Sequence, residues 1–164
     1  MTIRTQDDTN VQLAIGSGVL QGDSAAAEQF TAVFNPTVAS YIAELSEEDI
    51  TANLLLQDEL TGDQIDPSTT TYADDLVTTA TVQDAAHAVR QQQQLNTLLE
   101  NNVQPVGLTS NNNKKQALAS AHGRRAQQLY SSLLDSQVVQ QIPFTTQTLY
   151  LGAQFHSTLQ QKFD

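Results

Sequence analysis

The chain has 164 residues, a formal charge of −11, 39% hydrophobic and 5% aromatic residues, and neither cysteine nor tryptophan. That length suits one domain able to bury a core without metal or disulfide help, and the missing cysteines exclude a disulfide framework and thiolate metal ligation. No run reaches the roughly 18 apolar residues of a membrane span, and MTIRTQDDTN lacks the apolar centre of a secretory signal, so no membrane partner is expected.

In chain order, residues 1–23 read as a less regular, flexible N-terminal arm, in which NVQLAIGSGVLQG (10–22) carries three glycines and suits either an extended segment or a frayed helix. Ser24 is placed to cap AAAEQFTAVF, and Asn35 before Pro36 reads as an N-cap with proline at the first helical position, opening TVASYIAEL. Ser46 with Asp49 is a weak capping box opening ITANLLLQDEL. TGDQIDPSTTT, residues 61–71, is dense in turn formers and is the expected internal hinge.

A long helix is then expected from about Tyr72 to Asn101, ended by NNVQPVGLTSNN, where Pro105 removes a donor and Gly107 permits a turn. A second is expected from about Asn112 to Ser136, and a last one, opened by Pro143, from about Thr145 to Lys162. Residues 72–164 thereby form a helical hairpin plus a C-terminal helix. The expected fold class is all-α: a helical bundle with two long antiparallel central helices, in one domain spanning 1–164.

Charge is polarised along this chain. Residues 1–85 hold fifteen acids and one base, Arg4, whereas residues 86–134 hold Arg90, Lys114, Lys115, Arg124 and Arg125 against Glu100 alone. Such asymmetry suits a polyanion partner, a basic patch docking on the acidic part of a neighbouring copy, or merely a solvated acidic surface.

AHAVRQQQQLNTLLE (86–100) also recurs as AHGRRAQQLYSSLLD (121–135), with seven identities. At about 100° per residue, Ala88, Gln92, Leu95 and Leu99 share one helix face, and Gly123, Gln127, Tyr130 and Leu134 share its counterpart. Those faces are expected to pack inward. Arg90, Gln93, Gln94, Thr97 and Asn101 then form an outward polar stripe, answered by Arg125, Gln128, Ser132 and Ser136. Glutamine, serine and arginine donate hydrogen bonds without demanding a sequence, so Arg90, Gln93, Gln94, Lys114, Lys115, Arg125 and Gln128 are the candidate non-specific nucleic-acid contacts. Too few cations are present for tight binding by a single copy, so such contacts would have to add up over a polymer. Two similar amphipathic helices in a glutamine-rich chain would give the same repeat without a shared function.

Catalytic signatures are missing. His87, His122 and His156 stand apart with no metal-ligand spacing, so no metal or cofactor is expected. The neighbouring acids Glu47 and Glu48, or Asp74 and Asp75, diverge by about 100° on a helix. No phosphate loop, dinucleotide fingerprint or nucleophile elbow occurs, and no enzyme is expected.

FTAVFNPTVASYI, residues 30–42, resembles a segment near the amino terminus of the major capsid proteins of rod-shaped archaeal viruses, the rudivirus group. The resemblance covers 13 of 164 residues. It implies an all-helical coat subunit that wraps double-stranded DNA, held in the A form, within a filament. Ahead of this segment the chain offers Arg4 against Asp7, Asp8, Asp23 and Glu28, so no DNA contact carries over onto residues 1–29.

The expected function is therefore a virion structural protein, a self-assembling coat subunit whose partners are its own copies, other virion proteins and non-specifically held nucleic acid. Phe34, Tyr41, Phe144, Tyr150 and Phe155 are the candidate subunit-contact anchors, although for any single one of them a place in the core is the better reading. The alternatives are an acidic virion accessory protein, such as a scaffold, connector or decoration, and a cytoplasmic helical interaction module.

Overall fold

The computed structural model describes residues 2–4, 10–12, 24–48, 50, 55–121, 123–135 and 142–157. Most of the expected N-terminal arm, and residues 158–162 of the expected last helix, lie outside them. Strands β1 (Thr2–Arg4) and β2 (Asn10–Gln12) pair antiparallel. Helix α1 (Ala26–Glu47) follows, then β3 (Leu56–Gln57), β4 (Gln64–Ile65), β5 (Thr69–Tyr72) and β6 (Asp75–Thr78). Helix α2 (Ala85–Val103) runs into a short 3-10 turn, Gln104–Val106. The chain continues through β7 (Ala117–Leu118), α3 (Ala126–Asp135), β8 (Phe144–Thr145), β9 (Gln147–Tyr150) and β10 (Ala153–His156). No helix among the described residues is long and apolar enough to cross a membrane.

This is a mixed α/β arrangement, and it overturns the all-α bundle with two long central helices. The expected helix from Tyr72 begins only at Ala85, because residues 69–78 form an antiparallel hairpin pairing Thr69 with Thr78 and Tyr72 with Asp75. Its strands carry four threonines and a valine, whose branched Cβ is crowded in a helix and fits a pleated strand. The expected helix from Asn112 shrinks to ten residues after β7, which pairs in parallel with β8. The expected C-terminal helix is instead a hairpin through residue 156, with Tyr150 opposite Ala153. Its turn is Leu151–Gly152, both at positive φ, the backbone that a tight I′ turn requires. Residues 61–71, the expected hinge, hold the end of the β3–β4 turn, β4 and most of β5.

Helix α1 absorbs both starts read at Ser24 and Asn35. Ala25, not Ser24, is its N-cap, with no side-chain cap bond, and Pro36 lies inside it. Proline leaves the Ala32 carbonyl without its usual donor. One residue on, the Thr37 hydroxyl donates to the Val33 carbonyl at 2.8 Å. The helix persists across this defect because Val38, Tyr41 and Leu45, spaced three and four apart, bury one stripe. It ends at Glu47; of the helix expected to open near Ser46, residues 49 and 51–54 lie outside the described residues, and β3 falls within the rest of that stretch.

Helix α2 is the central element, packing against both α1 and α3. Its C-terminal half offers Leu95, Leu98 and Leu99 to Tyr41, Leu45 and Ile50. Its N-terminal half offers Ala85, Ala88 and Val89 to a second cluster with Leu133 and Phe144. The Asp84 carboxylate caps it, accepting the His87 amide at 2.7 Å, while His87 Nδ1 accepts the Gln83 amide at 3.2 Å. Beyond its other end Gly107 sits at φ +79 and the Leu108 amide returns to the Val103 carbonyl at 3.0 Å, the closing bond of a Schellman turn. That break was expected from Pro105 and Gly107.

Candidate interaction surface

Four consecutive glutamines on α2 divide between core and surface. Gln91, one turn after Ala88, is buried and donates from Nε2 to the Ile50 carbonyl, tying α2 to the end of α1. Gln92 is half-buried and reaches the Ile142 carbonyl at 3.0 Å. Gln93 and Gln94 are exposed, as are Arg90, Thr97 and Asn101, so the expected outward stripe stands on α2. Gln91 escaped the sequence reading, although the spacing from Ala88 to Gln91 to Leu95 already placed it on the inner face.

The second half of the repeat behaves differently. Ala121 precedes α3, Gly123 adopts φ +92, and the helix starts only at Ala126. Leu133, 1% exposed, is the side chain that α3 buries, with Leu129 packed beside it, whereas Gln127 and Leu134 face outward. The inner face is therefore rotated from the one expected, and of its four residues Tyr130 alone turns partly inward. Arg125, Gln128 and Ser132 are exposed as expected, and Ser136 lies outside the described residues.

The nominated cations separate by partner. Lys115 Nζ pairs with Glu100 and donates to Asn96 Oδ1, which commits it to holding the segment after Gly107 on α2. Glu100 also accepts from Ser110 Oγ and from Gln104 Nε2 at 3.0 Å. The Lys115 and Ser110 hydrogen bonds hold its carboxyl below the usual glutamate range. Lys115 is thus engaged by Glu100 and Asn96 of its own chain. Arg90, Lys114, Arg124 and Arg125 are exposed, and Lys115–Glu100 is the ion pair formed among the described residues.

The aromatics separate in the same way. Tyr41, 2% exposed, and Phe144, 7% exposed, lie in the two core clusters, the core placement that is the competing reading for each nominated aromatic. Burial raises the Tyr41 phenol above its usual range, and its hydroxyl lies 3.3 Å from Thr78 Oγ1. Phe34 is half-buried and stacks on Phe30 with ring centroids 5.0 Å apart, while Tyr150 and Phe155 are half-buried on the C-terminal hairpin.

Sequence reasoning missed the largest apolar exposure. Leu55, Leu56, Leu60, Ile65 and Tyr72 stand out from the hairpins between α1 and α2, with Leu60 95% exposed. The segment LLLQDEL gave the signal, an apolar run beside acids, and it was absorbed into an expected amphipathic helix. Asp58 and Asp66 shape these hairpins. Asp58 Oδ1 accepts the Leu60 amide at 2.8 Å, and Asp66 Oδ1 accepts the Ser68 amide at 2.9 Å and the Ser68 hydroxyl. Backbone bonds from Leu60 and Thr61 lower the Asp58 carboxyl, and the Ser68 side chain followed by its amide lowers that of Asp66.

No group of three or more His, Cys, Asp or Glu able to hold a metal ion occurs among the described residues. His87 serves the α2 cap, His156 lies in β10 with a buried, unpartnered Nε2, and His122 falls outside the described residues. What the surface offers chemically is association: exposed guanidinium and amide donors on one segment, exposed apolar and carboxylate groups on another. Compared with protein-family models, curated proteins and solved structures, the chain matches none.

Proposed function

We propose that this chain is a structural subunit that assembles with copies of itself, in the manner of a viral coat protein. One observation carries the reading. Among the described residues eight apolar side chains are buried while twelve large ones are exposed, five of them on the β3–β5 stretch with its flanking Leu55. Apolar exposure gathered in one stretch of chain points to a protein interface, because each such side chain gains free energy only when a partner removes it from water. The segment resembling rod-virus capsid proteins gives the coat reading its virion setting. The all-helical subunit implied by that resemblance does not carry over: residues 30–42 do lie in a helix, α1, but β3 to β10 pair as strands outside the helices.

Electron microscopy of the protein from its native source, before and after nuclease, tests this. Filaments, shells or discrete rings are expected. A monodisperse monomer at every concentration up to the millimolar range would sink the reading.

A further inference from the structure

We infer that the acidic hairpins β3–β6 of one copy dock on the cationic segment of a second copy, carried by α2, the loop after it and the approach to α3; this rests on the assembling-subunit reading above. Leu56 and Ile65 are cross-strand partners, so their exposed side chains share one face of the first hairpin, and Leu60 projects from its turn. Around them no cation occurs in the sequence between Arg4 and Arg90. Asp58, Asp66 and Asp84 are occupied in their own turns and cap, whereas Glu59, Asp63, Asp74 and Asp75 are exposed and make no ion pair among the described residues.

The opposite charges are equally unused. Arg90, Lys114, Arg124 and Arg125 are exposed without an acid partner among the described residues, and the donors Gln93, Gln94 and Gln128 lie on the same segment. Leu134, 45% exposed on α3, gives that segment an apolar contact for Leu60. Among the described residues, these carboxylates on the hairpins and these cations on the later segment make no ion pair at home, and they complement each other between copies. Guanidinium groups hold carboxylates bidentately, and the complementarity fixes which surfaces meet. Phosphate is the poorer occupant, because it answers the cations alone, whereas a second copy answers the cations and the acidic hairpins together. Two different patches meeting head to tail produce a ring or an open filament, whichever the rotation dictates.

Sedimentation velocity of the full chain at about 0.05 and 0.5 M salt tests the contact, since exposed pairs weaken once the Debye length falls to a few ångströms. Wild type is expected to associate at low salt and dissociate at high salt. R90E/R124E/R125E and E59K/D63K/D74K are each expected to raise Kd at least tenfold at low salt, and an equimolar mixture of the two is expected to associate again. L60A should weaken the wild-type contact about 30-fold by removing a side chain from the interface. Wild-type assemblies that ignore both charge reversals would overturn this interface while leaving the assembling reading intact. A wild type that never associates overturns both. A labelled DNA duplex retained by wild type and lost in R90E/R124E/R125E, with association unchanged, would assign the cations to nucleic acid instead.

Discussion

The Tyr130 hydroxyl donates to the backbone carbonyl of Ser157 at 2.9 Å. The same oxygen accepts the Ala121 amide at 2.8 Å, and Ser120 Oγ reaches the Ser157 carbonyl at 3.1 Å. One phenol on α3 therefore joins the segment after β7 to the residue that follows β10. Tyr130→Phe keeps the ring and removes both bonds, leaving a partly buried amide without its acceptor. The expected loss is about 1–2 kcal/mol in urea unfolding. An unchanged midpoint would mean that the three segments are not joined there.

Pro36 provides a sharper test of α1. Were it the first residue of a new helix, replacing it would matter little, since the missing amide needs no partner at that position. Inside a continuous helix it removes one bond and crowds the preceding turn. Pro36→Ala is therefore expected to stabilise the protein by about 1–3 kcal/mol, reduced by the greater freedom alanine gives the unfolded chain. Thermal unfolding at neutral pH reads the difference, and a destabilised or unchanged variant would return the helix start to Asn35.

Helical periodicity made the outward stripe of α2 readable, because Arg90, Gln93, Gln94, Thr97 and Asn101 follow it without interruption. The same rule misplaced the face of α3, where Leu133 and not Leu134 turns inward. Short hairpins were harder to see. Strands of two to four residues give too little alternation to outweigh flanking helix-compatible residues, and Ala73 and Leu151 occupy turn positions that sequence rules reserve for glycine or asparagine. The threonines of 69–71 and 145–148 were the available signal. Pro36 misled for the opposite reason: a strong local preference for helix starts was overridden by the buried stripe of Val38, Tyr41 and Leu45.

Those two turns store removable strain. Ala73 at φ 53 and Leu151 at φ 51 carry a Cβ in the left-handed region, which costs roughly 1–2 kcal/mol each. Asparagine tolerates that conformation because its short side chain bonds locally, and it does not loosen the unfolded chain as glycine does. Leu151→Asn should raise stability by about 0.5–1 kcal/mol, and Ala73→Asn should act similarly at the tip of the β5–β6 hairpin. Circular dichroism melts decide it. Lower stability in both variants would show that neither turn has the described backbone.

The Glu100–Lys115 pair makes stability depend on acid in a defined window. Its hydrogen bonds lower the Glu100 carboxyl in the folded chain below its unfolded value, which lies at about 4.3. The folded state therefore holds Glu100 ionised where the unfolded state has begun to take up a proton. Its contribution is complete above the unfolded value and disappears as pH falls through the folded one. Glu100→Gln should cost about 1 kcal/mol at pH 7, a modest figure because nearby water screens the pair. Asp58 and Asp66 are also lowered, so acid unfolding of wild type alone mixes three carboxylates. The wild-type minus Glu100→Gln difference isolates one: it should be constant from pH 7 to 5 and shrink steadily below about 4.3. A difference that stays flat down to pH 2 would show that Glu100 titrates alike in both states, and that the segment carrying Lys115 is held to α2 by something else.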